Sequence, residues 1–149
     1  MGRRYVATGK DTNTASTSIL GVTSAATVRP KIYDLIWGSD ATPADNAAEY
    51  FLQRYTAAGT STSVTPLALD PGDPAALASA GKAHTVEPTY TANALLLDWM
   101  QNQRATFRWV AAPGSELVLP ATAANGAGIV VNAVAGSAVS MGGSIYWEE

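Results

Sequence analysis

From Leu117 to Trp147 the chain carries no Asp, Glu, Lys, Arg or His. Gly and Ala interrupt the span far too often for a membrane helix, which needs about 18 or more consecutive apolar residues. A stretch this long without charge has to be covered by something, because large apolar surfaces are not left in water without a purpose. In a chain of 149 residues the candidates are its own core and copies of itself.

That length is one domain's worth, and such a domain buries roughly 68–70% of the surface its unfolded chain exposes. There is no cysteine, which excludes a disulfide framework, a thiolate nucleophile and a zinc ribbon. Only 14% of the residues are charged and the net charge is −3. Nucleic acid is therefore not an expected partner, since phosphate binding needs clustered Lys and Arg. With 47% hydrophobic residues and so little surface charge, a monomer is poorly protected against association, and the chain is expected to be a subunit of an assembly. Arg3 and Arg4 are followed by Thr8-Gly9-Lys10-Asp11, where a secretory signal would place its apolar stretch. No membrane partner is expected, and synthesis is expected in the cytoplasm.

Residues 7–18 are dominated by Thr, Ser, Ala and Asn without a period. Residues 1–18 are accordingly expected to form an extended N-terminal arm, and residues 19–149 the folded domain. Strands are expected over Thr27–Trp37, over Ala47–Tyr55, and over Ser63–Leu69, where Pro66 suits a sheet edge. Ala75–Ala80 is expected to make a helical turn. The period-2 alternation of Asn93–Asn102 and of Thr106–Val110 is the clearest strand signal. Glu116–Leu119 is a further short strand. Ile129–Val134 and Ala138–Met141 are expected to pair as a hairpin across Ala135-Gly136-Ser137. About eight short strands separated by Gly/Pro turns predict an all-β, antiparallel β-sandwich of the jelly-roll type.

Chemistry-bearing constellations are sparse. His84 is the single histidine; it falls in Gly81–Thr85, expected to be a loop, without the serine elbow a nucleophilic triad requires. Asp34, Asp98 and Glu116 are expected as outward strand positions or partners of Arg29, Arg104 and Arg108. The acidic runs Asp70–Asp73 and Asp40–Asp45 fit turn chemistry and lack the calcium-loop pattern. Gly126-Ala127-Gly128 lacks the third glycine of a nucleotide fingerprint and is expected to be a loop. No catalytic residue, metal or cofactor is assigned, and an enzyme is not expected. Among the aromatics, Trp99 and Trp109 are expected in the core, whereas Tyr5 and Trp147, close to the termini, are expected at an interface.

Arg3-Arg4-Tyr5, the segment from Ile32-Tyr33-Asp34 to Gly38-Ser39-Asp40, the run Tyr50–Gly59 and above all Pro113-Gly114-Ser115-Glu116-Leu117-Val118-Leu119-Pro120 with Asn125-Gly126 resemble tailed-bacteriophage capsid decoration, or cement, proteins of jelly-roll type. The resemblance implies a homotrimer on the outer surface of an icosahedral virion, clamping the major capsid protein. It carries over no catalytic residue. Arg3 and Arg4 are expected to meet the shell, and Tyr5 to make a capsid or subunit contact. Both faces of the Ile129–Val134 strand are nearly apolar, so Val131 and Ala133, with Trp147, are expected to meet other subunits. Two other readings stay open: a carbohydrate- or receptor-binding virion surface module that stacks sugars on Tyr and Trp, and a low-copy head or tail component.

Overall fold

The computed structural model describes residues 2–149, and they form two antiparallel sheets packed face to face. Twelve strands are shared between them: β1 (Arg4–Thr12), β2 (Ser18–Thr23), β3 (Lys31–Ser39), β4 (Ala47–Ala57), β5 (Thr60–Val64), β6 (Leu67–Ala68), β7 (Ser79–Val86), β8 (Thr89–Asn102), β9 (Phe107–Val110), β10 (Leu117–Val118), β11 (Gly126–Val134) and β12 (Ser140–Glu148). The first sheet runs β10-β3-β12-β1-β6, with β9 also beside β3; the second runs β5-β7-β2-β11-β4-β8.

Alternation sets which side chains meet between the sheets. In the first sheet Tyr5, Ala7, Leu35, Trp37, Ile145 and Trp147 point inward; Leu20, Val22, Tyr50, Leu52, Ile129 and Val131 face them from the second, all fully or almost fully buried. An aromatic chain ties the layers together. Trp37 meets Tyr50 edge-on at 5.8 Å between centroids, Tyr50 stacks on Trp99 at 5.5 Å, and Trp99 stacks on Phe107 at 4.8 Å. Such pairs are worth about 0.5–1.5 kcal/mol each beyond their area burial. Several of the polar groups drawn inside are bonded: the Asn13 amide donates to the Tyr50 hydroxyl at 2.9 Å and accepts from the Val139 N–H, while the Trp99 indole donates to Gln101 at 2.9 Å.

The expected N-terminal arm is instead a central strand. β1 pairs with β12 in unbroken register from Arg4↔Glu148 to Thr12↔Ser140, so its polar residues are the solvent-facing half of a strand whose inward half is Tyr5, Ala7 and Gly9. A side chain at Gly9 would stand 2.8 Å from Lys82 Cβ on the opposite sheet, so the sheets close tightly where the sequence reads as too small and polar to pack. The expected Ser63–Leu69 strand is broken at Pro66 into β5 and β6, which join different sheets. Pro lacks the donor a continuous ladder needs. The expected helical turn over residues 75–80 is irregular and leads into β7, which also contains the expected His84 loop.

The expected hairpin across Ala135-Gly136-Ser137 is absent as well. β11 lies in the second sheet between β2 and β4, and β12 in the first between β1 and β3; the linker crosses from one sheet to the other. Gly126-Ala127-Gly128 is not a loop but the first third of β11. Its glycines are demanded by neighbours far away in sequence, since an added Cβ would stand 2.5 Å from the Tyr55 hydroxyl at Gly126 and 2.7 Å from that of Tyr90 at Gly128.

Deleting residues 1–12 tests the placement of β1. Loss of a strand that covers one side of β12 should abolish the cooperative thermal transition seen by circular dichroism; an unchanged melting curve would restore the arm.

Candidate functional site

Three of the six residues expected at contacts are in the core. Tyr5 (1% exposed) and Trp147 (0%) lie side by side with centroids 6.1 Å apart, the Tyr5 hydroxyl donating to the Pro74 carbonyl at 3.0 Å; Val131 is also 0% exposed. They bind the sandwich together and are closed to a partner, because proximity to a chain end says nothing about burial when both ends are paired strands. The other three, Arg3, Arg4 and Ala133, are on the surface.

Ala133 leads to an apolar hollow of about 150 Å³ lined by Ala47, Ala48, Glu49, Met100, Ala133 and Ala135. Met100, 65% exposed, stands opposite Glu49 on the outer face of the second sheet. It belongs to β8, a 14-residue strand at the end of that sheet, paired only with β4. Between Leu97 and Asn102 its register is unbroken. The strand contains one charged residue, Asp98, and no Pro or Lys, the usual means of blunting an edge. Leu95, on the same strand, is 43% exposed. A second apolar group, Leu67, Leu69 and Leu77, stands at the opposite edge of the first sheet around β6. It borders a hollow lined by Arg3, Arg4, Leu69, Asp70 and Asp73. There Asp70 caps a turn, accepting from the Gly72 N–H at 2.9 Å, and Arg3 approaches Asp73 to 3.8 Å.

The ionisable residues are mostly committed to such local pairs. Arg108 holds Asp34 through two bonds of 3.1 and 2.7 Å. Glu116 accepts from the Gly114 N–H at 3.1 Å, and backbone donors hold its carboxyl below the usual range. His84 Nδ1 lies 3.0 Å from the Ser18 carbonyl oxygen and donates to it in the Nδ1–H tautomer, and burial pushes its pKa down, so the ring favours the neutral form. Beside it the Ser18 hydroxyl meets both Glu87 and the Tyr90 hydroxyl. Ser18 is 0% exposed, so this cluster latches β2 to the chain after β7 and presents no nucleophile. Burial raises the Tyr55 pKa to about 12. Among the described residues no group of three or more His, Asp or Glu is arranged to hold a metal ion.

Sequence reasoning did not single out Met100 or the β8 edge as contact surface. The signal was present as a long alternating strand almost without charge, but only the sheet order reveals that it has one free side.

One acidic pair on this surface titrates in a predictable direction. Partial desolvation, followed by the Glu49 carboxylate, raises Asp98 above its ordinary value of 3.8. The folded chain thus binds this proton more readily than the unfolded chain, so ionised Asp98 opposes folding above its raised pKa, and that penalty fades as pH falls towards 3.8. Asp98→Asn should raise the melting temperature at pH 7 and give no gain below pH 3.8. A pH-independent gain would show that the charge is not its cause.

No protein-family model matches the chain, and comparison with curated proteins and with solved structures likewise returned no match.

Proposed function

We propose that the protein is a capsid decoration protein: a jelly roll that assembles as a homotrimer on the outside of an icosahedral phage head and braces the major capsid protein. The observation that carries this reading is the strand order. Without the short or peripheral strands, β1-β12-β3-β9 faces β2-β11-β4-β8. That order supports a jelly-roll reading, in which the first and last strands pair and the chain steps back and forth between sheets; viral coat proteins and lectins are recurrent users of that fold. The resemblance of Arg3-Arg4-Tyr5 and Pro113–Pro120 to phage decoration proteins points to the viral use.

The exposed apolar groups supply two different surfaces for such an assembly. Subunit contact is assigned to the β8 edge with Met100, Leu95 and the Ala133 hollow, where an edge with Asp98 as its one charged residue invites main-chain pairing and Met adapts to a partner's shape. Shell contact is assigned to the β6 edge, where Leu67, 68% exposed, lies near Leu69 and Arg3. A trimer places three copies of the second surface on one side of its axis, so weak individual contacts act together.

Native mass spectrometry should give a trimer that becomes monomeric in Met100→Asp, with an unchanged circular dichroism spectrum. Leu67→Asp should stay trimeric but fail to co-sediment with expanded, undecorated phage capsids. A wild-type protein that is monomeric and does not sediment with such capsids would refute the proposal.

A further inference from the structure

A hollow of about 260 Å³ on the outer face of the first sheet, away from the β8 edge, has no part in the assembly just described. Its construction begins with an irregularity in β3. Tyr146 pairs with Asp34 and Trp147 with Ile32, leaving Tyr33 as an extra residue opposite neither. Such a bulge turns consecutive side chains to the same side and is a common way to re-aim one at a ligand. Tyr33 accordingly lies against Tyr146 on the outer face, with centroids 6.3 Å apart. The Arg4 guanidinium stands 5.6 Å from the Tyr33 ring centre. Pro113, in the turn after β9, adds a second apolar wall, and the Ala111 N–H fixes that turn by donating to the Tyr33 carbonyl at 2.9 Å.

The rim carries four charges, and they balance. Arg4 and Lys31 approach Glu148 to 3.7 and 3.9 Å from two sides; Glu116 completes the ring, held by the Gly114 N–H at 3.1 Å. Two cations and two carboxylates leave no net charge, so neither an anion nor a cation is drawn in by the field. Planar charged groups of both signs do offer paired donors and acceptors to neighbouring hydroxyls, and Tyr33 with Pro113 offers apolar surface to C–H groups. A pyranose has both features on one ring and is uncharged.

We infer that the hollow bounded by Arg4, Lys31, Tyr33, Pro113, Glu116 and Glu148 is a binding site for a neutral saccharide unit. Arg4 lines both this hollow and the one beside β6, but Tyr33, Pro113, Glu116 and Glu148 belong to this hollow alone, so the inference is tested independently of the decoration reading. On a particle surface many copies would combine weak single-site affinity into firm attachment to a glycan layer.

The test is an amide NMR titration of the wild-type protein with methyl α-glucopyranoside, methyl β-galactopyranoside and N-acetylglucosamine, with glucuronate as the charged counterpart. At least one neutral sugar should give saturable shifts confined to the amides around Arg4, Tyr33 and Glu116, and bind more tightly than glucuronate. Tyr33→Ala, which removes an aromatic wall, and Glu148→Gln, which removes a charged hydrogen-bond partner, should each weaken it about tenfold, whereas Ser63→Ala, on the other sheet, should leave it unchanged. Absence of shifts with every neutral sugar up to its solubility limit, shifts located elsewhere, or tighter binding of glucuronate would overturn the inference. The wild-type shift map decides the matter even if one variant fails to fold.

Discussion

The fold depends on two strands that are hydrogen-bonded along both sides. β11 lies between β2 and β4, and β12 between β1 and β3, so each fills an inner position in its sheet. An inner strand of a sandwich has no free edge, and its inward face is closed by the opposite sheet. Charges are costly on that face and add nothing to the ladder, which fits a span from Leu117 to Trp147 that carries none. The tight crossing from Val134 to Ser140 then obliges the two sheets to stack, because consecutive inner strands belong to different layers.

Once β11 is accounted for in this way, the case for self-association moves elsewhere. Val130, on the outer side of β11, is 9% exposed and lies opposite Phe51 on β4, so the monomer itself covers most of the apolar surface of the strand. What it leaves open is at the sheet margins: Leu95 and Met100 along β8, and the leucines around β6. The outer face of the first sheet carries a different chemistry, where a bulge and four balanced charges surround Tyr33. Core, β8 edge and polar hollow are thus separated in space, with Arg4 lining both the polar hollow and the one beside β6.

Strands with strict alternation and large inward residues were readable from sequence. The alternation through Leu97 and Trp99 marked β8, and Phe107 and Trp109 marked β9. β1 was not readable, because its inward positions after Tyr5 are Ala7 and Gly9, small for the sake of Leu20 and Lys82 on the facing sheet. The glycines of β11 pointed to a loop for the same kind of reason, being shaped by Tyr55 and Tyr90 rather than by their neighbours in sequence. A five-residue link after a β-rich run suits a hairpin and a crossing equally, so the partners of β11 and β12 could not be told from local pattern. Arg3, Arg4 and Ala133 are exposed, whereas Tyr5, Val131 and Trp147 could be assigned to the core only once the strand pairing was known.

Amide hydrogen exchange as a function of protein concentration tests most directly whether the chain covers its own charge-free span. With β11 and β12 as inner strands, the amides of residues 129–131 and 145–147 should exchange only through global unfolding, at rates unchanged by dilution below the assembly threshold. Exchange at these amides that accelerates on dilution, while β4 remains protected, would mean that other copies cover the span and would contradict the account.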